Sequence, residues 1–120
     1  MIVYHNNHLA TPEVMTDQSG SVVWKADYKP FGYANVDPAS TVVNDFRFPG
    51  QTFDSETGYH YNWNRYYDAE TGRYLTADPI GIMMGRNHLY LYAMGDPVNK
   101  IDPRGLEPCA VDHAINIVKI

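Results

Sequence analysis

Short turn-forming units recur along the chain and restrict it to short strands. The unit Asp-x-Glu-Thr-Gly occurs at residues 54–58 and 68–72, so its two copies are 14 residues apart. In each copy Asp can accept hydrogen bonds from the following N–H groups, and Gly can take the left-handed conformation that closes the turn. Eight prolines and nine glycines among 120 residues leave little room for long helices. The sequence predicts a mostly β fold, made of hairpins or a meander of repeated strand–turn units.

The first 32 residues predict a β-hairpin. The extended run Val14-Met15-Thr16 precedes the turn signal Asp17-Gln18-Ser19-Gly20, and residues 21–28 are rich in β-branched and aromatic side chains. Further on, residues 87–94 fit either a short helix with Asn87 as its N-cap or a strand, because Leu and Tyr alternate there. The last segment, residues 107–120, fits either an amphipathic helix or an extra strand.

Charge and hydrophobicity exclude several classes of function. The formal net charge of −5 gives no basic surface for nucleic acid or for an anionic membrane. No apolar run approaches the roughly 20 residues that are needed to span a bilayer. The first residues also lack the basic start and long apolar core of a signal peptide.

Cysteine and histidine usage predicts neither a disulfide nor a metal site. The single Cys109 excludes an internal disulfide. The histidines match no standard ligand spacing, so we predict no metal and no cofactor. They are His5, His8, His60, His88 and His113.

The constellation with a clear chemical use lies between Arg65 and Leu106. The unit Asp-Pro-x-Gly occurs there twice, as Asp78-Pro79-Ile80-Gly81 and as Asp102-Pro103-Arg104-Gly105. Two carboxylates held close together do not both ionise easily, so one can act as an acid and the other as a base, while a nearby arginine keeps one of them charged. The alternative is that both units are structural turns in which Asp accepts hydrogen bonds from nearby backbone N–H groups.

The aromatic side chains allow a second kind of function. Ten Tyr, four Phe and two Trp, Trp24 and Trp63, are many for this length. Flat aromatic faces suit the stacking of sugar rings, which favours a carbohydrate-binding module. Aromatic side chains that face each other across strands are more often core or cross-strand pairs.

Several segments together resemble the core-associated segment of Rhs/YD-repeat proteins. The most specific part is residues 96–106, which end in Asp-Pro-Arg-Gly-Leu. The start of the chain, with His8-Leu9-Ala10-Thr11-Pro12 and Trp24-Lys25-Ala26-Asp27-Tyr28, is similar to the last YD repeats before that segment. The resemblance covers residues 4–106. Its other matching runs are Arg47-Phe48-Pro49-Gly50-Gln51, the two Asp-x-Glu-Thr-Gly units, Arg65-Tyr66-Tyr67-Asp68, residues 72–81 and Asn87-His88-Leu89-Tyr90-Leu91-Tyr92.

The resemblance implies an aspartyl autoprotease. Proteins of this family are large β-strand shells that enclose a C-terminal toxin, and the core segment closes the shell and cuts the chain after the Leu of Asp-Pro-x-Gly-Leu. Carried over by position, Asp78 and Asp102 form the carboxylate pair, Arg65 supports it, and the bond between Leu106 and Glu107 is cut. The turn residues of the two units are Pro79, Gly81, Pro103 and Gly105.

The resemblance also divides the chain and suggests its setting. Residues 1–45 correspond to a YD-repeat-like hairpin region, residues 46–106 to the RHS repeat-associated core, and residues 107–120 to a tail after the cut. One or two repeats cannot build a shell, so we expect an orphan or truncated fragment, cytoplasmic before export by a type VI or toxin-complex route used in bacterial competition. Expected partners are shell strands, the chain's own C-terminal segment or a second copy that pairs through exposed strand edges. The alternative is a non-catalytic β module for protein interaction or carbohydrate binding.

Overall fold

The computed structural model describes residues 1–83, 85 and 88–106, together with the backbone of residues 109–112 and 117–119. These residues form antiparallel sheets with one short α-helix and one 3-10 turn, which confirms the prediction of a mostly β fold. Neither of the helical segments described has the length or the hydrophobicity to cross a membrane.

The first sheet is a four-stranded meander in the order β1-β2-β3-β4. Its strands are β1 (Val3–Asn6), β2 (Pro12–Thr16), β3 (Val22–Tyr28) and β4 (Ala34–Val36). The predicted hairpin is the pair β2–β3. Its turn forms as expected, because the Asp17 carboxylate accepts the N–H groups of Ser19 and Ser21 at 2.9 and 3.0 Å.

The second sheet has the order β5-β6-β7-β8 and contains both Asp-x-Glu-Thr-Gly units as its turns. Its strands are β5 (Thr52–Phe53), β6 (His60–Asn62), β7 (Arg65–Asp68) and β8 (Arg73–Tyr74). The N–H groups of Gly58 and Gly72 donate to the carbonyl oxygens of Asp54 and Asp68 at 2.8 and 2.9 Å. Both glycines have a positive φ, 78° and 72°, as the turn chemistry requires. One face of this sheet is buried, and its inward side chains are His60, Asn62, Arg65, Tyr67 and Tyr74.

The remaining elements follow β8. They are α1 (Pro79–Met83), a 3-10 turn (Ala93–Gly95) and the strands β9 (Lys100–Ile101), β10 (Cys109–Asp112) and β11 (Ile117–Lys119). These three strands form a sheet in the order β11-β10-β9. The described part of the tail therefore adopts the strand alternative rather than the helical one.

The short helix lies at a different place from the one predicted. It spans Pro79–Met83 rather than residues near 87–94, and the Asp78 Oδ1 atom caps it by accepting the Ile80 N–H at 2.9 Å. At the predicted place Ala93 and Met94 have φ values of 48° and 56°, which a right-handed α-helix cannot accommodate. Asn87, the predicted N-cap, lies outside the described residues.

Stacked aromatic rings form the main core and connect the first two sheets. The fully buried Tyr92 ring lies 4.7 Å from Tyr67 and 5.5 Å from Phe48, measured between ring centroids. Leu9, from the loop between β1 and β2, belongs to the same cluster. Much of the aromatic richness thus serves packing, which such offset and tilted ring pairs stabilise beyond their buried area.

A candidate active site at the second Asp-Pro turn

The second Asp-Pro unit forms a tight turn between two other segments. The Gly105 N–H donates to the Asp102 carbonyl oxygen at 3.4 Å, and Gly105 has a φ of 68°. A Cβ atom on Gly105 would lie 2.5 Å from the Asn62 carbonyl oxygen, and one on Gly50 would lie 1.9 Å from the Pro103 carbonyl oxygen. Both glycines are therefore required for the close approach that fixes this turn between the Pro49-Gly50 turn and the β6–β7 hairpin.

The end of the β6–β7 hairpin binds the backbone of this turn. Three hairpin side chains each donate to one carbonyl oxygen in residues 102–105. Asn62 Nδ2 donates to the Asp102 oxygen at 2.9 Å and Asn64 Nδ2 to the Arg104 oxygen at 2.8 Å. Arg65 Nε donates to the Gly105 oxygen at 2.6 Å. The backbone immediately before Leu106 is thus held in one position.

Arg65 and Asp102 form a buried ion pair, which brings two of the predicted site residues together. Arg65 Nη2 lies 3.6 Å from Asp102 Oδ2, and both side chains are 2% exposed. The Arg65 guanidinium also lies 3.6 Å from the centroid of the Tyr74 ring, a cation–π contact. Each buried charge has a partner, which offsets the large cost of removing it from water.

Tyr74 is a further hydrogen-bond partner of Asp102. Its hydroxyl donates to Asp102 Oδ2 at 2.8 Å and accepts a hydrogen bond from Asn62 Nδ2 at 2.7 Å. Burial, and then the negative charge of Asp102, raise the pKa of Tyr74 far above its usual value. The phenol therefore keeps its proton and acts as a donor to the carboxylate at any physiological pH.

Leu106, the predicted residue before the cut, lies directly against the Asp102 carboxylate. Its N–H donates to Asp102 Oδ1 at 3.1 Å. Since the nitrogen and carbonyl carbon of one residue are about 2.5 Å apart, the Leu106 carbonyl carbon lies within about 6 Å of that oxygen, a distance that one water molecule can bridge. Glu107, the predicted residue after the cut, lies outside the described residues.

Asp78, the other predicted carboxylate, is also buried, but it occupies the start of a helix. It is 8% exposed, its Oδ1 atom caps α1, and Pro79 is the first helical residue, a position that suits proline. The Asp78 N–H and Arg65 Nη1 donate to the same Leu89 carbonyl oxygen, at 2.8 and 3.0 Å. The two aspartates are thus linked through Arg65 and Leu89.

The site also contains three side chains that are not among the predicted site residues, Asn62, Asn64 and Tyr74. The available signal was the run Asn62-Trp63-Asn64-Arg65 at the end of two Tyr-rich strands. With a period of two along each strand, Asn62 falls on the same face as His60, and Arg65 on the same face as Tyr67. Polar side chains at such inward positions indicate a buried hydrogen-bonding network.

Other candidates from the sequence have different environments. His60 is buried between Phe53 and Tyr67, and its Nδ1 atom is 2.8 Å from Gln51 Oε1. Within the part of the chain that the structure describes, no cluster of His, Cys, Asp and Glu could hold a metal ion. Trp24 is 1% exposed and lies in the core of the first sheet, whereas Trp63 is 65% exposed at the β6–β7 turn. Of the two tryptophans, only Trp63 is accessible for stacking on a sugar.

Comparisons with known proteins agree with the resemblance seen in the sequence. A family model described as RHS protein matches residues 3–36. The protein YlbH of Escherichia coli K12 is 43% identical over 98 residues, which are 81% of this chain and 41% of YlbH. The double-stranded DNA deaminase toxin A of Burkholderia cenocepacia H111 is 37% identical over 107 residues, which are 86% of this chain and 7% of the toxin.

A solved structure shares both the fold and part of the sequence. The crystal structure of TcdB2-TccC3 without its hypervariable C-terminal region matches 86% of this chain and 5% of that chain, with a TM-score of 0.74 and 27% identity. The chain spans less than half the length of YlbH and a small fraction of the larger proteins. The sequence resemblance, the shared fold and the matching relatives together establish that the chain belongs to the Rhs/YD-repeat family, as a segment of the RHS repeat-associated core type.

Proposed function

We propose that this chain is a single-turnover aspartyl autoprotease that cuts its own backbone between Leu106 and Glu107. One observation carries the proposal: the Asp102 carboxylate, buried in an ion pair with Arg65, accepts the N–H of Leu106 itself. Such a turn can form without a buried charge, whereas hydrolysis of the aspartyl type needs a carboxylate close to the bond that breaks.

The chemistry requires one water molecule and two carboxyl groups. One carboxylate takes a proton from the water molecule as the water oxygen attacks the Leu106 carbonyl carbon. The other carboxyl group donates its proton to the Glu107 nitrogen as the carbon–nitrogen bond breaks. The hydrogen bonds from Asn62, Asn64 and Arg65 hold the substrate backbone in place. The enzyme and its substrate are one chain, so no binding step is needed and each chain reacts once.

The proposed setting is a larger toxin. In such a chain the segment would close a β-strand shell, and the cut would free the C-terminal part inside it before export by a type VI or toxin-complex route. The family membership and the name of the deaminase toxin relative support this setting.

Intact-mass spectrometry tests the proposal. The spectra are recorded under denaturing conditions, because β10 pairs with β9 and would hold the product on the core. We expect loss of residues 107–120 over time, and no loss in Asp102→Asn or Asp78→Asn. The emission of the buried Trp24 reports whether each variant is folded. A full-length mass that persists for days at mildly acidic and neutral pH in the wild-type chain would falsify the proposal.

A second candidate function, a non-catalytic carbohydrate-binding module, is favoured by one surface. Tyr61 and Tyr66 form an exposed edge-to-face pair on the outer side of the second sheet, with ring centroids 5.5 Å apart, next to the exposed Trp63. A glycan array that compares the wild-type chain with Trp63→Ala tests it. Binding of the wild-type protein to an immobilised sugar, and the loss of that binding in Trp63→Ala, support binding at this surface. Equal signals from both proteins contradict it.

A further inference from the structure

We propose, building on the proposed function, that Tyr74 is a positioning residue that holds Asp102 as the ionised carboxylate of the pair, so that Asp102 activates water and Asp78 supplies the proton. The general chemistry of a carboxylate pair does not decide which member acts as the base and which as the acid. In this structure, the contacts of the two aspartates distinguish them.

Two hydrogen-bond donors and one cation, from three different segments, point at the Asp102 carboxylate. The donors are the Tyr74 hydroxyl of β8, at 2.8 Å, and the Leu106 N–H, at 3.1 Å. The cation is the Arg65 guanidinium of β7, at 3.6 Å. An ionised carboxylate only accepts hydrogen bonds, whereas a protonated one also needs an acceptor. This set of donors therefore fits the charged form of Asp102.

Asn62 fixes the direction of the hydrogen bond between Tyr74 and Asp102. Its Nδ2 atom donates to the Asp102 carbonyl oxygen at 2.9 Å, and since a carbonyl oxygen can only accept, the amide orientation is determined. The same Nδ2 atom donates to the Tyr74 oxygen at 2.7 Å. The Tyr74 hydroxyl proton is then directed to Asp102 Oδ2. Asn62 and Tyr74 thus form two successive hydrogen bonds that both point towards Asp102.

The surroundings of Asp102 also contain Tyr92, which precedes the 3-10 turn. The Asp102 N–H donates to the Tyr92 hydroxyl at 3.4 Å. By contrast, Asp78 Oδ1 accepts the N–H of Ile80, a neutral donor. Arg65 directs its guanidinium at the carboxylate of Asp102, and at the carbonyl oxygen of Leu89 on the side of Asp78. Of the two carboxyl groups, Asp102 is therefore the one held as the carboxylate, which leaves the proton-donor role in the pair to Asp78.

The variant Tyr74→Phe tests the proposal, with Tyr67→Phe as its matched control. Tyr67 is a buried tyrosine of the adjacent strand whose hydroxyl donates to the Phe31 carbonyl oxygen rather than to Asp102. The first measurement is the carboxyl ¹³C NMR titration of Asp102, made in an Asp78→Asn chain that stays intact. We expect the midpoint to rise by about one pH unit in Tyr74→Phe, as for the loss of a hydrogen bond to the charged form, and to stay unchanged in Tyr67→Phe.

The second measurement is the pH profile of self-cleavage in chains that retain Asp78. In Tyr74→Phe the acidic limb should move to higher pH by the same amount, with a rate about tenfold lower on that limb and little change near neutral pH. A rate that falls equally at all pH values would indicate a merely structural role and overturn the proposal, as would an unchanged Asp102 midpoint. If Tyr74→Phe does not fold, Asn62→Ala replaces it, and the Asp102 midpoint should shift in the same direction. If the wild type does not cleave, the proposed function fails, and the NMR titration still decides whether Tyr74 holds Asp102 ionised.

Discussion

The two Asp-Pro-x-Gly units share three of their four residue types but have different structures. Asp78-Pro79-Ile80-Gly81 begins a helix, in which Gly81 has an ordinary helical conformation. Asp102-Pro103-Arg104-Gly105 forms a turn that closes at a left-handed Gly105 against the Asn62 carbonyl oxygen. The first carboxylate caps a backbone N–H, while the second pairs with a buried arginine and contacts Leu106.

This difference shows that the tertiary surroundings, rather than the local sequence, decide what an Asp-Pro unit does. Both units can form a turn capped by Asp. Only the second lies against the β6–β7 hairpin, whose side chains bind its carbonyl oxygens.

The largest effect is expected from removing the cation of the second unit. In an Asp78→Asn background that keeps the chain intact, Arg65→Met should lower the free energy of unfolding by about 3–5 kcal/mol at pH 7, because it leaves the Asp102 carboxylate buried without its partner. The control is Arg73→Met, an exposed arginine of the same sheet, with an expected change of at most about 0.5 kcal/mol. Denaturant unfolding measures both. Equal values for the two variants would mean that the ion pair does not stabilise the second unit.

The two glycines should respond differently to alanine. Gly105→Ala combines a left-handed φ with a Cβ contact of 2.5 Å to backbone, and we expect a loss of about 3 kcal/mol. In Gly81→Ala the nearest contact is the end of the Leu89 side chain at 2.9 Å, and alanine favours the helix, so the net change should stay within about 1 kcal/mol. Denaturant unfolding measures the free energy of unfolding of both variants. Similar losses in the two variants would contradict the structural difference between the units.

The buried His60 makes the stability of the chain depend on pH. Burial, with a smaller contribution from the Arg47 charge, lowers the pKa of His60 to about 4. The unfolded chain binds this proton below about pH 6.5, so the stability contributed by neutral His60 is complete above pH 6.5 and is lost as the pH falls towards 4, by about 3 kcal/mol in total.

The variant His60→Gln should remove this loss. Unfolding curves recorded between pH 7 and 4 in the intact Asp78→Asn background measure it, and adding the exposed His5→Gln should change nothing there. A His60→Gln chain that loses as much stability as the wild type over this range would show that another group titrates there.

The smallest effect concerns the cap of the first unit. Asp78→Ala removes the acceptor for the Ile80 N–H and should cost about 1 kcal/mol, whereas Asp78→Asn keeps a capping oxygen and should change stability by only a few tenths of a kcal/mol. Thermal unfolding of the two variants compares them. If Asp78→Asn were as destabilising as Arg65→Met, the first unit would depend on a buried charge after all.

Local turn chemistry made much of the fold predictable. The hairpin at Asp17 and both Asp-x-Glu-Thr-Gly turns form where the sequence places them, because their hydrogen bonds run between residues close together in the chain. The helix was misplaced for a related reason. An Asp followed by Pro suits a helix start as well as a turn, and at Asp78 the helix forms.

The candidate site was only partly predictable. Arg65 and Asp102 were identified through the resemblance, and the structure pairs them. Asn62, Asn64 and Tyr74 contact residues 28 to 40 positions away in the chain, and no local pattern encodes which carbonyl oxygen or carboxylate they meet. The sequence also does not distinguish the buried Trp24 from the exposed Trp63, since each lies in a strand-rich region.

The most direct test of the account is the identity of the bond that breaks in the wild-type chain. Tandem mass spectrometry of the products, over a time course in denaturing quench, should show one core fragment ending at Leu106 and one peptide beginning at Glu107. Both should be absent in Asp102→Asn. A cut at another bond, a cut that persists in Asp102→Asn, or a chain that stays whole would contradict the central claim that the second Asp-Pro turn holds its own substrate against Asp102.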